Sequence, residues 1–193
     1  MNKKENIFSR YWHAYGGFSA LMTSYYFWIS ILISCLLYPF WSREGWWDDV
    51  LGIMPDLVGF SLGGFAMWIA IGDDSFRQLI SGVNEDGTPS PYMEVNASFV
   101  HFILLQILSI ILALFAKAFY FPMPKNLFAV EIVDIWFDYI VMLGYFISFT
   151  VFIYALLSAL AATMSIYRAA SWYDAFKGQG TKEKDKNDNN TIP

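Results

Sequence analysis

Residues 50–72 read VLGIMPDLVGFSLGGFAMWIAIG, a run of 23 residues with one ionisable side chain, Asp56. A helix needs about 20 mostly apolar residues to cross about 30 Å of hydrocarbon. Only a helix or a closed barrel can satisfy its backbone there. Val50–Gly72 therefore reads as a transmembrane helix. Phe18–Phe40, Ala97–Phe119 and Trp136–Ser165 read the same way, the last being long enough to tilt or to extend beyond the bilayer. The fold class is an all-α membrane protein with four spans. Residues 1–17 form an amphipathic N-terminal arm, 18–165 the transmembrane domain with a loop at 73–96, and 166–193 an interfacial segment and tail.

The composition agrees. Of 193 residues, 56% are hydrophobic and only 15% charged, against roughly 45–50% and about 25% in soluble domains. The 8 Trp, 12 Tyr and 18 Phe suit interfacial belts, where amphipathic rings sit at headgroup level. A net charge of −5 with no basic stripe argues against direct nucleic-acid binding. Cys35 is alone, and His13 and His101 are far apart, so neither a disulfide nor a metal site is expected. The first apolar run is too long for a signal peptide, and no small-residue cleavage site follows it.

Orientation follows from Lys and Arg near the span ends. Lys3, Lys4, Arg10, Arg77, Arg168, Lys177, Lys182, Lys184 and Lys186 fall on one side. Arg43, Lys117 and Lys125 fall on the other. Both termini and the middle loop are thus expected in the cytoplasm. The outer loops are short. Trp41, Trp46 and Trp47 ring the first beside Glu44, Asp48 and Asp49, and read as interfacial anchors. The second holds Pro122, Pro124, Glu131 and Asp134.

In the arm, Ile7, Phe8, Tyr11, Trp12 and Tyr15 share a helical face, as in a short helix lying in the membrane surface; Tyr167–Phe176 is similar. In the middle loop, Asp73–Gly82 continues helically with Phe76, Leu79, Ile80 and Val83 on one side. Phe76, Arg77, Leu79 and Ile80 are the expected docking residues for a cytoplasmic partner. The breakers Asn84–Gly87 and Thr88–Pro91 follow. From Gly178 the tail buries too little apolar surface to fold, and is expected to be disordered or a solvated extension.

Gly52, Gly59, Gly63 and Ala66 lie along one face of the second span, and Gly64 widens it. Small residues allow close backbone approach, which drives helix association where lipid offers no hydrophobic force. This face either packs on another span of the same subunit or meets another subunit or a pore. Asp56 shares it. An acid at membrane depth is a functional candidate by default; the alternatives are a wet interfacial acid or a cap beside the kink expected at Pro55. Asp56 is placed toward the outer end of the span. In the third span, Gln106 needs an interhelical hydrogen-bond partner, with Ser109, Ala113 and Ala116 on its stripe. His101 is expected to be a satisfied interface histidine, with a proton relay as the alternative. Gly144, Ser148, Ala155, Ser158, Ala159, Ala162 and Ser165 give the fourth span a close-packing face, and Ser30 and Ser34 do so for the first.

Gly59-Phe60-Ser61-Leu62-Gly63 matches the nucleophile elbow G-x-S-x-G, but that motif works on a sharp strand-to-helix turn, and here it sits within a helix. Pairing Ser61 with His101 as an intramembrane protease is disfavoured for the same reason. No phosphate loop, paired carboxylates or cofactor signature occurs. No catalytic residue, cofactor or metal is expected, and the chain is read as a non-enzyme. The glycine face and the amphipathic helix after it point to a sensor or scaffold subunit that forms a homo-oligomer and recruits a cytoplasmic protein. A small channel or pore-forming effector is the alternative.

Asp56, the stretch Gly59–Phe76 (GFSLGGFAMWIAIGDDSF), and the size and topology together resemble small membrane proteins of bacterial defence clusters. In particular they resemble the membrane subunit of the Kiwa anti-phage system. The resemblance implies an inner-membrane homo-oligomer, a tetramer being one candidate size, that detects infection at the envelope. It also implies a separate cytoplasmic effector that binds DNA.

Overall fold

The computed structural model describes residues 6–70, 74–82, 88–120 and 130–189, the side chains of 130–135 and 179–189 excepted. Every regular element among them is an α-helix: α1 (Ile7–Tyr15), α2 (Gly17–Thr23), α3 (Tyr25–Leu36), α4 (Tyr38–Trp41), α5 (Trp46–Ala70), α6 (Asp74–Ile80), α7 (Pro91–Ala118) and α8 (Val130–Asn189). Lys3, Lys4, Asn84–Gly87, Pro122, Pro124 and Lys125 lie outside the described residues, as do the side chains of Glu131, Asp134 and the lysines after Gly178.

Local chemistry sets the helix ends. Ser90 caps α7 by accepting from the Met93 N–H at 3.3 Å, Pro91 fills the first turn, and Glu94 and Lys117 match the helix dipole at opposite ends. Asp48 and Asp49 do the same in the first turn of α5. The α8 helix has 60 residues, about 90 Å at 1.5 Å per residue, so it must extend well past any bilayer. It remains helical to Asn189, where composition predicts no fold. Extending a nucleated helix adds one hydrogen bond per residue without repeating the nucleation cost.

Among the described residues, three helices are long and apolar enough to cross a membrane by themselves, or four if a bent pair counts as one span. That pair corrects the expectation of a single helix over Phe18–Phe40. Residues Ile7–Thr23 and Tyr25–Leu36 meet at 44° around an extended Ser24. The chain breaks again at Leu37. At 12 residues, α3 spans about 18 Å, too little to cross alone. The breaks persist because side chains take up freed carbonyls: Trp28 Nε1 donates to Met22 O and Trp41 Nε1 to Ser34 O, each at 2.7 Å.

The helices pack in the order α5, α7, α8, α3, with α1 laid on α7. One core cluster gathers Trp41, Trp46, Trp47, Val50, Met54, Tyr145 and Phe149, and a second gathers Val95, Phe99 and Ala169 with Phe65, Trp68 and Trp172. The three tryptophans read as interfacial anchors are therefore core residues, each 5% exposed or less. Gly45, at φ +91, turns the chain back onto the bundle, a conformation that glycine adopts without strain. Trp46 then meets Tyr145 and Phe149 edge-on, at 5.9 and 5.6 Å between centroids, a preferred aromatic geometry.

Candidate functional site

The edge helix α5 buries one face and leaves the other open. Only 17% of its most apolar window is buried, against 44% for α7 and for α8. Val50, Met54 and Ser61 point into the bundle. Gly52, Asp56, Gly59, Gly63 and Ala66 all point out. A Cβ built on Gly52, Gly59, Gly63 or Gly64 meets nothing within 4 Å. Among the described residues, no other span packs on this face. The face forms a shallow groove of about 610 Å³ lined by Pro55, Asp56, Gly59, Phe60, Gly63, Gly64 and Met67. Phe60 and Met67, 81% and 65% exposed, form its walls. Pro55 is accommodated within an unbroken helix.

Asp56 is the one charge in this groove. It has no hydrogen bond or ion pair among the described residues, whose salt bridges are Lys117–Asp48 at 2.9 Å and Arg168–Glu94 at 3.9 Å. Because α5 starts at Trp46, Asp56 lies about 15 Å along the axis. That is close to mid-helix. A lone carboxylate at such depth costs about 2.5–3.5 kcal/mol or more in lipid.

Behind the groove runs a buried polar line. Gln106, fully buried, donates from Nε2 to Ser61 Oγ at 3.0 Å, and Ser61 donates to Leu57 O at 2.6 Å. This is the interhelical bond that Gln106 calls for. Its Oε1 and the Ser109 Oγ are buried without a hydrogen-bond partner. One end of the line holds His101. Its Nδ1 is 2.7 Å from the Tyr11 hydroxyl and its Nε2 is 3.3 Å from that of Tyr154, which lies 3.2 Å from the Tyr15 hydroxyl. The Tyr15 ring stacks on the imidazole at 3.8 Å. Both ring nitrogens are engaged by tyrosines, and Ser61 is engaged by Gln106, so the Ser61–His101 dyad is not assembled.

Sequence reasoning missed the tyrosines of this cluster. It placed Tyr11 and Tyr15 on a membrane-surface face, whereas α1 docks on α7 and exposes Ile7, Phe8 and Trp12. The four-residue spacing of Tyr11 and Tyr15 was the available signal.

The residues expected to dock a partner are mostly engaged within the chain. Phe76 and Ile80 are buried, Phe76 against Tyr173 and Phe176 of α8. Arg77 donates to Ile69 O at 2.9 Å. Leu79 alone of the four stays well exposed, at 65%. A helix of seven residues has too few apolar positions to serve α8 and a partner together. No group of three or more His, Cys, Asp or Glu among the described residues is placed to hold a metal ion. No family model, curated protein or solved structure matches the chain.

Proposed function

We propose that this chain is a non-enzymatic scaffold subunit of the bacterial inner membrane, assembled into a homo-oligomer through the glycine groove of α5. The single observation that carries the reading is the open groove with its unpartnered mid-helix acid. A small-residue face left empty within the subunit suits close approach by another helix. Covering it also removes Asp56 from lipid. The excess of Lys and Arg on one side supports cytoplasmic termini. A sensor that recruits a cytoplasmic effector extends this reading, with the exposed Leu79 and the projecting end of α8 as the surface offered.

Purification from native membranes into nanodiscs, followed by native mass spectrometry, tests the proposal. A defined oligomer is expected, alone or with a cytoplasmic partner; a bare monomer defeats it. A reporter at the C-terminus should read out as cytoplasmic. Labelling of Ser61 by a fluorophosphonate would overturn the non-enzymatic assignment.

Asp56 favours a second reading, a small cation channel. In a closed ring of subunits the acid would face either a neighbour or a water-filled axis, the two settings in which intramembrane charges are tolerated. Planar-bilayer conductance that disappears in Asp56→Ala supports the channel; silent bilayers from intact oligomers exclude it.

A further inference from the structure

The N-terminal helix is attached unlike any other element. Between α1 and α2 the chain passes through Gly16 at φ +100 and Gly17 at φ +66, two successive left-handed residues that L side chains rarely adopt. A Cβ on Gly16 would lie 2.9 Å from the Ala20 Cβ. The joint is therefore a glycine pair by steric requirement, with the few-residue form of a hinge. Beyond it, α1 buries no residue fully. Tyr11 and Tyr15 are half-buried and hold it through polar contacts: Tyr11 to His101 at 2.7 Å, Tyr15 to Tyr154 at 3.2 Å, and the Tyr15 ring on His101. The donors and acceptors close consistently with a neutral imidazole. Tyr11 donates to Nδ1, Nε2–H donates to Tyr154, and Tyr154 donates to Tyr15. The outward side exposes Ile7, Phe8 and Trp12 beside Ser9, Arg10 and His13, so it is mixed apolar and basic.

We infer that α1 is a releasable strap. It is clasped to α7 and α8 by the Tyr11–His101–Tyr154–Tyr15 cluster and pivots at Gly16–Gly17 to lie on the membrane surface. A helix held by a few hydrogen bonds and the stacking of Tyr11 and Tyr15 on His101 opens locally, at far lower cost than global unfolding. Its exposed side combines Ile7, Phe8 and Trp12 with Arg10, the mix of apolar and basic residues that lies in the headgroup region. Release uncovers His101 and the adjoining flank of α7.

Hydrogen–deuterium exchange of the full chain in lipid nanodiscs tests this. Amides of residues 8–16 should exchange through an opening separate from that of α7. Tyr11→Phe, which deletes only the clasping hydroxyl, should speed that exchange roughly tenfold, the effect of one hydrogen bond of ordinary strength, and leave α5 and α7 unchanged. His101→Phe should speed it further. Exchange of α1 in step with α7, or a rate indifferent to Tyr11→Phe, overturns the strap. Should His101→Phe not fold, Tyr154→Phe loosens the same clasp and provides the second reading.

Discussion

Substituting the groove glycines separates stability within the subunit from stability between subunits. Gly59 and Gly63 stand one turn apart, about 6 Å along α5, and a Cβ on either meets no atom within 4 Å. Within one subunit, Gly59→Ala with Gly63→Ala therefore introduces no clash and removes two poor helix formers. Each change is worth up to about 1 kcal/mol of helix stability. Far-UV circular dichroism on heating should show a subunit at least as stable as the parent. Between subunits the sign reverses as the side chain grows. Leucine in place of a glycine at a close approach over-packs the contact, at about 1–3 kcal/mol. In a two-fold interface each substitution counts twice, giving about 2–6 kcal/mol per altered position. Even the lower figure weakens association roughly 30-fold. Photobleaching step counts in nanodiscs at limiting density read this directly: Gly59→Leu with Gly63→Leu should shift the population to monomers that melt no earlier than the parent. An unchanged step count refutes the use of this face for assembly. An early-melting monomer refutes its openness.

Other outcomes follow from the buried polar groups and the loop ends. Ser61→Ala leaves the buried Gln106 Nε2 without its acceptor and should cost about 1–3 kcal/mol. Gln106→Leu, which also removes the unpartnered Oε1, should cost less; steric-trap unfolding in bicelles ranks the two, and the reverse order contradicts the assignment. Trp41→Phe removes the donor to Ser34 O and should cost about 1–3 kcal/mol, seen as a lower melting temperature with faster exchange confined to α3 and α4. Tyr120 donates to Glu44 Oε2; this hydrogen bond, then slight desolvation and the Glu44 charge, raises its ionisation above the ordinary value of 10.0. Since the folded value is the higher one, the contact stabilises fully below pH 10 and is lost as pH climbs through the raised value. Site-labelled tyrosine carbon NMR should show Tyr120 titrating late, and Glu44→Gln should bring it back; no response to Glu44→Gln counts against the pair.

The candidate site was legible in the sequence to an uneven degree. Gly52, Asp56, Gly59, Gly63 and Ala66 share a face because the helical period alone places them there. Gln106 demanded a partner because a buried amide in lipid requires one. The partner's identity, Ser61, depends on how α5 is rotated against α7, which no local pattern encodes. The tryptophans deceived for a related reason: an aromatic beside acids at a span end suits an interfacial belt and a buried cap equally, and the turn at Gly45 decides between them.

Sequence alone determined that the long helices are apolar enough to cross a membrane, because crossing hydrocarbon is a local demand that each segment meets with its own residues and its own backbone hydrogen bonds. Tertiary structure decided which face of α5 stays empty, that the first span is bent at Ser24, that Phe76 is covered by α8 and Ile80 is buried, and that His101 is clasped by Tyr11 and Tyr154. Periodicity states which residues share a side of a helix. What that side meets depends on the rotation and neighbours of packed helices, set jointly by contacts far apart in the chain.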